Sequence, residues 1–212
     1  MLIVLSGVIG AGKTSLTKYL SEDLGTKAFY EPVGDNPVLP LFYKDPKQYG
    51  FLLQIFFLNR RFEAMKRAMQ DDNNILDRSI YEDLLFTQLN AEMGRITPEE
   101  FDVYKTLLAN MMEELPFAAH KKAPDLLVHI ELSLDEELRR IKKRGRDYEQ
   151  LSADPSLYDY YAKLHAMYAD WYEAYNYGPK MKIDGDRFDF VENPNDRDVV
   201  IAQIKTKLSE VR

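Results

Sequence analysis

Short continuous apolar runs alternate along the chain with longer stretches in which apolar residues recur every three or four positions. The first pattern marks buried strands and the second amphipathic helices, so the order predicts strands linked by helices. Leu2 to Leu5, followed by Ser6-Gly7, predicts a buried parallel strand. Ser15 to Leu24 predicts a helix stopped at Gly25. Lys27 to Tyr30 predicts a second strand, and the Pro- and Gly-rich stretch from Glu31 to Pro37 a loop. Phe51, Ile55, Leu58, Phe62, Met65 and Met69 predict a long helix over about Lys47 to Gln70. A third strand follows at Asn74 to Asp77. Ser79-Ile80-Tyr81-Glu82 then has the form of a capping box opening a helix, and Thr97-Pro98-Glu99-Glu100 opens another with proline at its first position. Asp125 to Leu132 is the fourth strand, and Ser133-Leu134-Asp135-Glu136 caps a helix running to Gly145. Asp154-Pro155 starts a Tyr-rich helix ending near Gly178, Lys180 to Ile183 is the fifth strand, and a last helix begins about Asp196. The expected fold is α/β, one domain over residues 1–212, with a parallel sheet covered on both faces.

Composition narrows the chemistry. There is no cysteine among the 212 residues, which excludes a disulfide framework, a thiolate metal site and a cysteine nucleophile. The formal charge of −7 argues against nucleic acid or an anionic membrane as partner. No apolar run reaches membrane-spanning length and no secretory leader pattern stands at the start, so a cytoplasmic location is expected.

Gly7-Val8-Ile9-Gly10-Ala11-Gly12-Lys13-Thr14 fits the spacing G-x-x-x-x-G-K-[ST] between the first strand and a helix. Glycines there let backbone N–H groups turn toward phosphate oxygens, and the helix terminus opening at Ser15 adds favourable dipole. Lys13 is expected to reach the β- and γ-phosphates and the Thr14 hydroxyl to ligate Mg²⁺, which makes ATP with Mg²⁺ the expected donor.

Glu31 and Asp77 stand at strand ends, where parallel sheets open onto their ligands. Either can be the base, with the other organising magnesium. Arg78 adds a bidentate cation beside the transferred phosphoryl group. Between Phe29 and Pro46 there is no arginine and one lysine, Lys44, so the acceptor is expected to carry a neutral hydroxyl rather than a phosphate. Gln54, Leu58 and Arg61 fall on one helical stripe, where an amide and a guanidinium can read a heterocycle or simply meet water. The basic block Arg139 to Arg146 suits a lid, over about 139–152, in which Arg140, Arg144 and Arg146 close on the triphosphate; half of such charges instead complement a helix C-terminus. His120, His129 and His165 are scattered, and the aromatics from Tyr158 to Tyr177 recur at helical spacing, so all are expected to pack.

With the phosphate loop, Glu31-Pro32-Val33, Tyr43-Lys44-Asp45-Pro46, Gln54, Asp77-Arg78-Ser79 and Arg140 to Arg146 in this order, nearly the whole chain resembles the deoxynucleoside kinase family, bacterial members in particular. The resemblance implies a P-loop kinase fold with a five-stranded sheet and helical lid, Mg-ATP as donor, a deoxynucleoside as acceptor, and a dimer of like or merely similar subunits. By position it places Glu31 at the nucleoside 5′-hydroxyl, Arg78 at the transferred phosphate, Tyr43 at the sugar 3′-hydroxyl, and Gln54, Arg61 and Asp83 at the base. It sets Asp186-Arg187-Phe188 beside the ATP adenine, adding these to Gly7 through Ser15 and the lid arginines. Animal members hold the 3′-hydroxyl with a glutamate where this chain has Ala162; Glu149 is the candidate substitute. Arg61 and Asp83 together imply a purine, with deoxyadenosine ahead of deoxyguanosine. The rivals are a nucleoside monophosphate kinase, disfavoured by the segment around Glu31, and a nucleotide-binding switch, for which no N-K-x-D pattern exists.

Overall fold

The computed structural model of the protein describes residues 1–31, 36–118 and 123–211. Most of the loop expected over 31–37 and all of His120 lie outside these residues. Five parallel strands, β1 (Leu2–Gly7), β2 (Lys27–Phe29), β3 (Asn74–Asp77), β4 (Leu126–Glu131) and β5 (Lys180–Asp184), form one sheet in the order β2-β3-β1-β4-β5. Its helices are α1 (Lys13–Leu24), α2 (Leu39–Lys44), α3 (Pro46–Gln70), α4 (Asp83–Glu92), α5 (Pro98–Ala118), α6 (Leu134–Arg144), α7 (Leu157–Ala174) and α8 (Pro194–Glu210). No helix among the described residues is long and apolar enough to cross a membrane.

The continuous apolar run of β1 follows from burial on both faces. Ile3 and Leu5 pack with Leu16 and Leu20 of α1, Leu164 and Tyr168 of α7, and Val200 and Ile204 of α8. Leu2 and Val4 point the other way, onto Leu58 and Met65 of α3, Tyr104 of α5 and Tyr172 of α7. The chain leaves β1 for β2 on one side and reaches β4 on the other, so the strand order reverses at β1. Brändén-type crevices open at such a point, outside the carboxyl ends of the strands. Gly7, Asp77 and Glu31 all lie at that edge.

Three local expectations are corrected. Leu39–Lys44 forms a helix, α2, that the sequence pattern left unassigned; Asn36 Oδ1 accepts from the N–H groups of Val38 and Leu39 and so starts it. Ser79 opens a single 3₁₀ turn, Ile80–Glu82, before α4, and Glu82 does not complete a capping box: its carboxylate turns inward to Arg78 and Tyr168. The Tyr-rich helix α7 ends at Ala174, short of Gly178. A capping box stands instead at Thr97, with reciprocal bonds between Thr97 and Glu100 of 2.9 and 3.2 Å.

Candidate active site

The loop between β1 and α1 wraps an anion-sized cradle because three of its glycines, Gly7, Gly10 and Gly12, sit at positive φ. At Gly12 a Cβ would come within 3.0 Å of the Phe190 ring, so any larger residue would jam the loop against the last strand's exit. Lys13 folds back onto the Gly7 and Val8 carbonyls at 2.9 and 2.8 Å. Burial, reinforced by the neighbouring Arg78 cation, lowers its pKa to about 8. An arriving triphosphate offers this ammonium stronger partners than two carbonyls. Because Lys13 titrates near 8 in the free protein and a bound anion favours its charged form, triphosphate affinity should fall as pH rises above about 8, by up to tenfold per unit. Isothermal titration of a non-hydrolysable ATP analogue between pH 7 and 9 checks this, and Lys13→Arg should abolish the slope.

Beneath the loop, the Thr14 hydroxyl donates to Asp77 Oδ2 at 2.5 Å, while Asp77 Oδ1 is buried with no hydrogen-bond partner among the described residues. Burial raises the Asp77 pKa, opposed by Lys13. A hydroxyl and a carboxylate with an unsatisfied oxygen are the hard oxygen donors that Mg²⁺ prefers. Thr14 and Asp77 therefore fit the metal expected of them.

On the other side of Asp77, one continuous chain of buried charges crosses the cavity floor. Arg61 reaches from α3 and pairs with Glu31 through Nη2 and with Asp83 through Nη1. Arg78 Nε donates to the second Glu31 oxygen at 3.2 Å. Burial would raise the Glu31 pKa, but Arg61 and Arg78 outweigh it and hold the carboxyl at about 2. Glu31 is thus a fixed carboxylate at neutral pH. Asp83 is fully buried and does not line the cavity, which corrects the expectation of a direct base contact: it stands behind Arg61 and orients it.

These groups line a single cavity of about 620 Å³ that continues from the phosphate loop to α2 and α3. Ile9, Gly10, Gly12, Lys13, Thr14 and Ser15 form one end; Gly7, Val8 and Ala11 are buried beneath the loop and do not line it. At the far end Leu53, Phe57 and Phe86 make apolar walls around Gln54, whose Oε1 is buried with no hydrogen-bond partner among the described residues. A buried amide oxygen left open in an apolar slot fits a ligand bearing an N–H donor.

Tyr43 and Glu149 both line the cavity. The Tyr43 ring lies 4.6 Å from that of Tyr148, and burial raises its hydroxyl pKa, with Tyr160 and Glu149 adding to the effect. Tyr161 donates to the Glu149 carbonyl at 2.9 Å, which ties the turn carrying Glu149 to α7. Tyr160, which periodicity assigned to packing, also lines the cavity, with its pKa raised to about 12 by burial.

The basic block lies beside the phosphate loop, and most of its cations are paired. Arg144 and Arg146 contact Glu149 at 2.5 and 3.3 Å, and Lys143 pairs with Glu192 across the cavity mouth. Arg140 is a clamp rather than a free cation: it donates to Glu136, to the Ala11 carbonyl and to the Gly185 carbonyl at 2.7, 3.3 and 2.5 Å. Arg139 and Lys143, not singled out by sequence, line the cavity too. Asp186, Arg187 and Phe188 do not. Asp186 caps α6 by accepting from the Ser133 N–H at 2.9 Å, Phe188 packs on the core, and Asp189, Val191 and Glu192 take their place at the cavity.

A parallel sheet reversing at β1, a phosphate loop, two strand-end carboxylates and an overhanging cluster of cations define a phosphate-loop phosphotransferase. The deoxynucleoside kinase family profile matches residues 3–209. The chain is 62% identical over 209 residues to a deoxyguanosine kinase of Lactobacillus johnsonii, covering 99% of this chain and 93% of that one, and 56% identical over 209 residues to a deoxyadenosine kinase of Lactobacillus acidophilus, covering 99% and 97%. It superposes with TM-score 0.80 and 28% identity on the deoxyadenosine kinase of M. mycoides solved with dCMP and dCDP, over all of both chains. The protein belongs to the deoxynucleoside kinase family: it is an enzyme that phosphorylates a deoxynucleoside from a nucleoside triphosphate.

Proposed function

We propose that the acceptor is a purine deoxynucleoside and that ATP with Mg²⁺ is the donor. The observation that carries the acceptor is the slot of Leu53, Phe57 and Phe86 with Gln54 and Arg61, where apolar walls stand beside a buried amide oxygen without a partner among the described residues and a cation fixed by Glu31 and Asp83. Relatives named for either purine share the chain from end to end, which supports the purine class without choosing between its members. Because Asp83 lies behind Arg61, the ground for favouring deoxyadenosine over deoxyguanosine is removed, and both are expected as substrates. Phosphate transfer to the four deoxynucleosides, adenosine and dAMP decides this. Thymidine or deoxycytidine as the best acceptor sinks the purine assignment, and dAMP as the best sinks the choice of a nucleoside.

Glu31 accepts the hydrogen of the 5′-hydroxyl and orients it for in-line attack on the γ-phosphorus. The new O–P bond forms as the bond to the β-phosphate oxygen breaks, and the proton passes to Glu31. Lys13 and Arg78 face the charge that develops on the transferred group. Thr14 and Asp77 would hold Mg²⁺, which when bound would neutralise charge on the phosphate oxygens. Tyr43 and Glu149 hold the sugar 3′-hydroxyl, supported by both lining the cavity.

Arg144 and Arg146 leave Glu149 for the triphosphate when it binds. Arg144→Ala and Arg146→Ala should therefore reduce kcat/KM for ATP by about 10-fold or more while shifting the melting temperature of the free enzyme little, since partly exposed ion pairs add at most about 1 kcal/mol. Steady-state kinetics beside thermal melts check it; a large thermal loss with unchanged turnover per folded molecule would assign them to structure. Half-exposed Leu52 on α3 and Val103 on α5 support a dimer formed through these helices, and the cytoplasm, where ATP is abundant, is the proposed compartment.

A further inference from the structure

Arg78 is the one arginine among the described residues with a left-handed backbone, at φ 71°. A non-glycine residue persists there only where its surroundings dictate it. Here the Arg78 N–H donates to the Leu5 carbonyl at 3.0 Å, which fixes where the side chain leaves the end of β3. The guanidinium is then gripped on three sides. Nε donates to Glu31 at 3.2 Å, Nη1 donates to the Tyr168 hydroxyl at 2.5 Å and to Glu82 at 3.4 Å, and the Phe86 face lies 4.7 Å away. Nη2 makes no hydrogen bond among the described residues, and Arg78 lines the cavity.

Tyr168 donates to Glu82 at 2.7 Å, closing a triangle of hydroxyl, carboxylate and guanidinium. Both residues are buried and neither lines the cavity, so neither can touch substrate. The Tyr168 ring is itself held: it stacks on His129 of β4 at 5.7 Å, and Phe86 and Trp171 meet it edge-on. His129 is kept neutral, its pKa lowered to about 3 by burial, and so adds no competing charge. Tyr168 thus refers the position of Arg78 to the rigid centre of the sheet.

We propose that Glu82 and Tyr168 are positioning residues that hold the Arg78 guanidinium in the orientation presenting Nη2 to the transferred phosphoryl group. The proposal rests on the phosphoryl role assigned above to Arg78. Glu82 supplies the counter-charge that keeps the guanidinium buried, and the Tyr168 hydroxyl sets its rotation, which matters because a small misplacement at a reacting centre costs rate rather than binding.

The test is a double-mutant cycle on kcat per folded molecule, measured with the full-length enzyme. Tyr168→Phe keeps the ring and removes only the hydroxyl. It should lower kcat about tenfold, the size expected for losing one hydrogen bond to a charged group, with KM for both substrates within about twofold. Glu82→Gln should lower it further. In an Arg78→Ala background, Tyr168→Phe should have no additional effect, because it acts through the missing side chain. Unchanged kcat in Tyr168→Phe, or effects that multiply in the double variant, would overturn the proposal while leaving the role of Arg78 intact. A nearly fully active Arg78→Ala would overturn that role, and the positioning proposal with it.

Discussion

Glu31→Gln lowers kcat by about 10² or more while triphosphate affinity stays within a few-fold, since general-base assistance typically supplies 10² to 10⁴ in rate. The substitution keeps the shape of the side chain and removes its charge. Arg61 retains Asp83 and Arg78 retains Glu82, so neither guanidinium is stranded and the fold should survive. What is lost is the carboxylate that accepts the 5′-hydroxyl proton. Single-turnover transfer to the deoxynucleoside, alongside titration of an ATP analogue, separates the two effects. If Glu31→Gln remained nearly fully active while Asp77→Asn were dead, the base would be Asp77.

Arg61→Ala is expected to be the most destabilising single change in the site. The guanidinium is 6% exposed and spans two carboxylates, one of them Asp83 at 0%. Without it Glu31 keeps Arg78, but Asp83 has no cation among its described partners. Removing one member of a buried ion pair costs about 3–5 kcal/mol, which for a chain of this size lowers Tm by roughly 10 °C or more. Thermal melts of the variant and the parent at pH 7 check this. A loss of only a few degrees at pH 7 would mean that water or a rearranged side chain satisfies Asp83.

The two variants differ because Arg61 joins what the sequence presented as separate features. The sequence placed Arg61 with Gln54 on one stripe and, by the resemblance, Arg61 and Asp83 together at the base. It could not show that Arg61 also reaches Glu31, thirty positions away, because that depends on how α3 crosses the end of β2. The same limit explains Glu82. Its position three residues after Ser79 matches a helix cap, and a local pattern carries no information about a partner on α7.

At the triphosphate end, errors had a different origin. The resemblance carried Asp186-Arg187-Phe188 to the adenine by alignment, yet the chain turns so that Asp186 caps α6 and the cavity is met by Asp189, Val191 and Glu192. Which residues of that turn meet the cavity depends on how it packs against the start of α6, and a motif match carries no information about that. α2 was missed because a six-residue helix between two prolines is too short to express a 3.6-residue period.

By itself the sequence determined the strand and helix order, the parallel sheet, the phosphate loop and the carboxylates at Glu31 and Asp77, because each is encoded locally: in a run of apolar residues, in glycine spacing, or in the rule that ligands gather at strand ends. Tertiary structure alone decided which charges face the cavity and which stand behind them. Asp83 and Asp77 are both buried acids near strand or helix ends, and each has one oxygen without a hydrogen-bond partner among the described residues, but Asp77 lines the cavity beside Thr14 whereas Asp83 stands behind Arg61. In a low-dielectric interior a group's chemistry is set by the few partners within reach of it, and those partners come from distant parts of the chain.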